Sequence, residues 1–156
     1  MIQKEAGKDV QEQLRETHVV SCFLLRKDMH PPRLLIVQRS RRVGSYNERW
    51  AGISGFLEAN VTPEEQAFTE IREETGLQGQ QVHMLKRGEV IDYKDASIGR
   101  HWYIHPFLFE VSAPDAIALD WEAVKMRWIA PSDIHTLQTV PRLEEAYQSA
   151  ASGVEV

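Results

Sequence analysis

Cysteine is almost missing from this chain. Cys22 is the only one in 156 residues, so neither a disulfide framework nor a cysteine metal site can be assembled, and a reducing, cytoplasmic setting is the expectation. No apolar run approaches membrane-spanning length, which argues against a membrane partner. The first sixteen residues, MIQKEAGKDVQEQLRE, lack the apolar core of a signal peptide. Positive charge is not in excess: the formal net charge is −5, which makes a general nucleic-acid binder a poor reading. Repeats and low-complexity tracts are missing too. What is present, 42% apolar and 26% charged residues, suits one globular domain with a substantial core. The expected division is a polar segment at 1–16, a single domain at 17–150 and a tail at 151–156.

Charge is unevenly placed within this ordinary composition. Residues 58–74 carry six glutamates against Arg72, a local −5. Residues 39–49 carry Arg39, Arg41, Arg42 and Arg49 against Glu48, a local +3. The first stretch suits a cation and the second an anion.

The acidic stretch sits on a helix with both ends marked. Thr62 is a good N-cap, Pro63 fits the first helical position, Glu65 completes a capping box, and Gly76 stands where a left-handed C-cap is needed. Ala67, Phe68, Ile71 and Thr75 share one side, while Glu70, Glu73 and Glu74 share the neighbouring side. Like charges at these spacings destabilise a helix by roughly 0.2–0.5 kcal/mol per pair. A hard divalent cation such as Mg²⁺ relieves that repulsion, because it takes carboxylate and phosphate oxygens. A solvated acidic face is the commoner reason for such a pattern.

The spacing resembles the signature of the Nudix hydrolases, G-x5-E-x7-R-E-U-x-E-E-x-G-U, with U a bulky aliphatic residue. Gly55, Glu70, Ile71, Glu73, Glu74, Gly76 and Leu77 match in register. Val61 stands where the family has its first glutamate, and Thr69 where it has arginine. In the family those two side chains tend to pair and brace the loop against the helix. Losing one alone strands a charge, whereas replacing both with uncharged groups can be neutral. The resemblance implies metal ligands at Glu70, Glu73, Glu74 and the carbonyl of Gly55, with Mg²⁺ or Mn²⁺ as cofactor. It implies hydrolysis of a phosphoanhydride in a nucleoside diphosphate linked to another group, with Glu70 as general base and Glu122, before a later tryptophan strand, as a second candidate for base or ligand. Dimers are common in the family, so a homodimer is a partner state to consider. The stretches WYIHPFLF and TVPRLEEAY resemble Nudix domains fused to a larger module, which allows this chain to be one domain of a longer protein.

Elsewhere the chain reads as alternating elements. Strands are expected at 18–26, 33–39, 50–58, 101–111 and 124–130, with one bulged or two short strands between 81 and 94, and a last helix at 141–150. Pro106 points to an edge strand or a bulge. His101 and His105 share one face of their strand, but two ligands do not make a metal site. The arginine loop reads as a substrate lip: Arg39, Arg41 and Arg42 suit phosphate oxygens and Tyr46 can stack on a base. The pattern predicts an α/β fold with a mixed sheet between helices, and the resemblance implies the Nudix-type α/β/α sandwich. Two further readings stand beside the hydrolase. One is a catalytically impaired domain that binds a nucleotide or partner, favoured by Val61 and Thr69. The other is an RNA-end pyrophosphohydrolase, favoured only by the arginine loop.

Overall fold

The computed structural model describes residues 13–156. Most of the polar segment expected at 1–16 lies outside the described residues, and Arg15 and Glu16 already belong to the first strand. The strands are β1 (Arg15–Arg26), β2 (Arg33–Arg39), β3 (Trp50–Ala51), β4 (Ile53–Phe56), β5 (Val82–Arg87), β6 (Ile91–Asp95), β7 (Arg100–Val111) and β8 (Ala123–Ile129). Among the described residues two α-helices accompany them, α1 (Pro63–Thr75) and α2 (Leu143–Ala151). After β8 the chain forms a 3-10 helix, Pro131–Thr136.

All eight strands join one mixed sheet. Its spine runs β3-β2-β1-β7-β5, with β8 beside β2, β4 beside β1 and β6 beside β7. β1 and β7 pair in parallel from Arg15↔Arg100 to Leu25↔Glu110, and the other strand pairs are antiparallel. This central pair is covered on both faces, which is why VVSCFLL and HPFLF are continuous apolar runs without clean alternation. On one face, Val20, Cys22, Leu35, Phe107 and Phe109 pack against Ala67 and Ile71 of α1. On the other, Phe23, Leu25, Ile36 and Leu108 pack against Leu143, Ala146, Tyr147 and Ala150 of α2. The result is the expected α/β/α sandwich.

Some boundaries differ from the sequence reading for identifiable reasons. Residues 50–58 form two short strands, because β3 pairs with β2 while β4 pairs with β1. Gly52 lies at the change of partner, where a Cβ would come within 2.8 Å of the Cys22 carbonyl oxygen. The 81–94 region contains both expected features, two strands and a bulge between Met84 and Lys86. Pro106 does not mark an edge, since β7 is central. Its carbonyl accepts from Gly88 N–H at 2.9 Å, on the side where β5 ends and β6 has not yet begun. The missing N–H therefore faces a turn rather than a ladder partner.

α1 has the caps its sequence announces. The Thr62 hydroxyl accepts from Glu65 N–H at 3.2 Å, which is the half of the capping box that forms, and Gly76 sits at φ 76° with its N–H on the Arg72 carbonyl. No helix among the described residues is long and apolar enough to cross a membrane.

α2 lies close against the turn after β5 at Gly88, where a Cβ would lie 2.7 Å from both Ala150 N and Ser149 C. Gly88→Ala is expected to push α2 off the sheet and lower stability by about 1–3 kcal/mol, measured as a lower urea midpoint with unchanged slope.

Candidate active site

Four pieces of chain meet at one end of α1. Within α1, positions 66, 70 and 74 form a single i, i+4 stripe. β4 brings Gly55 against that stripe so closely that a Cβ there would overlap the Glu70 carboxyl group. The segment after β7 brings Glu122, and its backbone is stitched down: Ala118 N–H donates to the Thr75 carbonyl at 2.9 Å and Asp120 N–H to the Glu74 carbonyl at 3.2 Å. The carbonyl of Glu122 accepts from Ser40 N–H at 2.9 Å, which ties the same segment to the end of β2.

These anchors crowd three carboxylates together. Glu70, Glu74 and Glu122 each offer an oxygen within 4.8 Å of the others. Glu74 is buried, and its Oε2 has no hydrogen-bond partner. Burial first, then the charges of Glu122 and Glu70, push the Glu74 carboxyl up to about 11. Burial also raises Glu70 and Glu122 above the usual carboxylate range. At these separations each charged pair repels by roughly 3–4 kcal/mol at an effective dielectric near 20. Such a group needs protons or a cation. Its donors are all hard carboxylate oxygens, the set that suits Mg²⁺ or Mn²⁺ and not a soft metal. The orphaned buried oxygen of Glu74 fits the same assignment, because a ligand atom for an ion lacks a protein partner when the ion is away.

Glu73 does not join the three. It is exposed at their rim, where its charge still bears on Glu70 and Glu122. The reason is helical geometry: 70 and 74 lie along one stripe, and 73 is turned from it toward solvent. Cys22 lies beneath the cluster, fully buried, with burial and the nearby Glu74 and Glu70 charges raising its thiol; it is packed and not reactive.

Beside the acidic group opens a cavity of about 430 Å³. Gly55 and Glu122 form its acidic side, while Arg39, Arg42, Arg100 and Arg142 supply guanidinium groups around it. Arg39 is partly buried, and although burial lowers its affinity for a proton, the charges of Glu74 and Glu122 oppose that. Arg42 stands over the Trp121 ring at 5.5 Å, Arg100 over Trp102 at 5.7 Å and Arg142 over Tyr93 at 5.7 Å. Tyr46 projects into the cavity from a loop residue at φ 48°, the left-handed region, where a bulky side chain costs about 1 kcal/mol or more. Its hydroxyl donates to Asp95 Oδ2 at 2.7 Å and accepts from Trp102 Nε1 at 3.0 Å. Phe56, 57% exposed, stacks with Trp102 at 6.4 Å.

Of the arginines expected to form the lip, Arg39 and Arg42 line the cavity and Arg41 does not. Neighbouring loop residues project to different sides, and Arg41 pairs with Glu48 at 2.7 Å in solvent. The histidines on β7 do not meet: His101 pairs with Asp92 at 2.9 Å, and His105 contacts His18 at 2.9 Å. Neither belongs to a three-donor group among the described residues. Sequence reasoning missed Trp102, Phe56, Trp121 and Arg100, and it passed over Gln66. The alternation of Arg100, Trp102 and Ile104 on one face of β7 was a usable signal. So was the 62, 66, 70, 74 stripe.

A family model described as NUDIX domain matches residues 15–150. Among solved structures, this chain is similar to an Ap4A hydrolase from C. elegans in a binary complex (TM-score 0.72, 16% identity, covering 85% of this chain and 93% of that one). It is similar to RenU, a Nudix hydrolase from M. smegmatis (TM-score 0.70, 14% identity, 92% and 89% coverage). It also resembles a bifunctional NMN adenylyltransferase/ADP ribose pyrophosphatase from F. tularensis (TM-score 0.64, 24% identity), covering 92% of this chain and 44% of that one. At these identities the likeness concerns the fold.

The crowded carboxyls make stability depend on pH with a definite sign. A carboxyl whose folded pKa is raised binds more protons in the folded state, so stability is lost as pH rises above the unfolded value toward about 11. Metal-free protein is expected to lose up to about 1.4 kcal/mol per pH unit for each such proton above roughly pH 5. Glu74→Gln, an uncharged isostere, is expected to flatten that slope and remove the stabilisation by Mg²⁺, both read from thermal unfolding in chelator and in Mg²⁺.

Proposed function

Because the chain belongs to the Nudix family, we propose that it is a divalent-metal-dependent hydrolase cleaving a phosphoanhydride in a nucleoside diphosphate linked to another group. The observation that carries this reading is the junction of two unlike surfaces, three crowded carboxylates opening onto a cavity of guanidinium groups and aromatic rings. One surface suits a hard cation, the other a phosphate and a planar base, and a nucleotide bound across both has its anhydride at the boundary.

Glu70, Glu74 and Glu122 would hold the ion, with the Gly55 backbone beside them and Glu73 at the rim. A bound Mg²⁺ or Mn²⁺ would neutralise diphosphate charge and acidify a water molecule. Arg39 and Arg42 hold phosphate oxygens with their planar forks, a geometry lysine does not offer. Tyr46 keeps its proton, because burial and the bond to Asp95 raise its phenol, so its ring is fixed as a wall of the base site. The water that attacks phosphorus in line must lose a proton to a group within hydrogen-bond reach. Glu70 is the first candidate for that role and Glu122 the second.

Val61 and Thr69 favour a second reading, a domain that binds a nucleotide or partner without turning it over. One screen separates the two: ADP-ribose, dinucleoside polyphosphates, nucleotide sugars and nucleoside triphosphates with Mg²⁺, read as phosphate or monophosphate release. The hydrolase reading expects Mg²⁺-dependent release from at least one class, lowered about 10²-fold or more by Glu70→Gln and by Glu74→Gln. Ligand-induced thermal stabilisation without release would favour the silent domain. A Glu73→Gln loss of similar size brings the rim carboxylate into the ligand set; an unchanged rate leaves it out.

Phe56→Ala tests the base site without risk to the core. Stacking on an aromatic ring is worth roughly 1–3 kcal/mol per base, so KM is expected to rise about 5- to 100-fold with kcat nearly unchanged, the mark of an interaction equal in ground and transition states.

A further inference from the structure

Gln66 is a polar side chain sealed inside the fold, 1% exposed. Its Oε1 accepts from Glu58 N–H at 3.0 Å and its Nε2 donates to Glu70 Oε1 at 3.0 Å. The partners fix the orientation of the amide. Turning it over would set two donors against each other at Glu58 and two acceptors against each other at Glu70.

Glu58 belongs to the segment between β4 and α1, which arches over the start of the helix with Asn60 at φ 63°. Val61 and Thr69 carry no charge, so this segment has no ion pair at those positions to hold it to α1. Gln66 makes the connection between the two. On the other side, Gly55 leaves the space that the Glu70 carboxyl group occupies, since a Cβ there would come within 2.0 Å of it. Glu70 is therefore confined between a backbone that rejects a Cβ and an amide that donates to one of its oxygens.

We propose that Gln66 is a positioning residue that does the work of the absent ion pair: it fastens the β4–α1 segment to the helix and aims the Glu70 carboxylate into the three-acid cluster. The inference rests on the reading of that cluster as a metal-dependent hydrolase site. Methionine can fill the same volume but makes neither bond, and it leaves the Glu58 N–H and a carboxylate oxygen of Glu70 without their side-chain partner.

The test compares wild type, Gln66→Met, and Gln66→Met combined with Val61→Glu and Thr69→Arg. In metal-free Gln66→Met, hydrogen exchange at the Glu58 amide is expected to accelerate. Mg²⁺ affinity by calorimetry is expected to weaken about 10- to 100-fold, the usual cost of removing a group that orients a ligand. kcat is expected to fall by a similar factor with KM within about threefold. The restored ion pair is expected to recover Mg²⁺ affinity and Glu58 protection at least in part. If methionine is not tolerated, Gln66→Asn gives the same comparison, because it keeps a buried amide one methylene too short to reach both partners. Wild-type Glu58 protection and Mg²⁺ affinity in the substituted protein would overturn the proposal. A wild type that binds Mg²⁺ in a Gln66-dependent way but hydrolyses nothing removes the hydrolase reading and keeps this one. A wild type that hydrolyses, with Mg²⁺ affinity indifferent to Gln66, does the reverse. A wild type that neither binds Mg²⁺ nor turns over any substrate overturns both.

Discussion

Three carboxylates held within 4.8 Å of one another, one of them shut away from water, are the constraint around which this molecule is arranged. Folding alone gains nothing from such a group. Each charge removed from water costs several kcal/mol after relaxation, and their mutual repulsion adds to that. The core must supply the difference, and it has the means. Phe23, Phe107, Phe109 and eleven Leu, Ile and Val side chains are no more than 1% exposed, each worth roughly 1.5–3 kcal/mol. A group this unfavourable on its own is preorganised, with its oxygens gathered and partly desolvated, which is the arrangement the proposed hard cation would favour.

The sheet explains how the gathering is achieved. β1 and β7 form a central parallel pair, and their neighbours end at different heights along it. β4 pairs with the early part of β1 and delivers Gly55 under α1. β2 ends at Arg39, whose following residue Ser40 donates to the carbonyl of Glu122. The acidic group thus belongs to the α1 face, while the cavity extends past the end of the sheet toward Arg142 and Leu143 at the start of α2. The acidic side hangs from α1, while the guanidinium groups come from the end of β2 (Arg39), the loop after it (Arg42), the start of β7 (Arg100) and the start of α2 (Arg142).

The layout was largely legible in the sequence because strong local signals agreed with it. Thr62, Pro63 and Gly76 bounded α1 correctly, and uninterrupted apolar runs gave the central strands. The spacing of Glu70 and Glu74 put both on one helical stripe. What could not be read was anything that depends on which distant segment closes the site. Glu122 entered through the family resemblance and not through local pattern: it is 48 positions beyond Glu74, and the backbone bonds from Ala118 and Asp120 to the end of α1, with that from Ser40 to Glu122, bring it in. Trp102 sits in an aromatic-rich strand and serves both core and cavity: it is 7% exposed, with its indole N–H turned to Tyr46 at the cavity wall. Arg41 and Arg42 are adjacent and equally basic, and composition could not tell that one is spent on Glu48 while the other covers Trp121.

The departures from the family pattern make physical sense as a change of one kind of brace for another. A buried ion pair is specific but costly to desolvate, and removing half of it is worse than removing it all. Val61 and Thr69 remove it all. An amide that donates to a carboxylate forms a charge-assisted bond, about twice the strength of a neutral one, without adding a second charge to the interior. It also accepts from the Glu58 backbone N–H at 3.0 Å, which ties the segment before α1 to the helix. Gln66 meets both needs from a position already on the stripe with Glu70 and Glu74. Beside three crowded carboxylates, a neutral brace has a further consequence. It leaves the local charge balance to be set by the cation and by Arg39, so the grip on an ion depends less on a fixed guanidinium competing for the same oxygens. The altered box is therefore a coherent variant of the site, with its supporting bonds rerouted through one side chain.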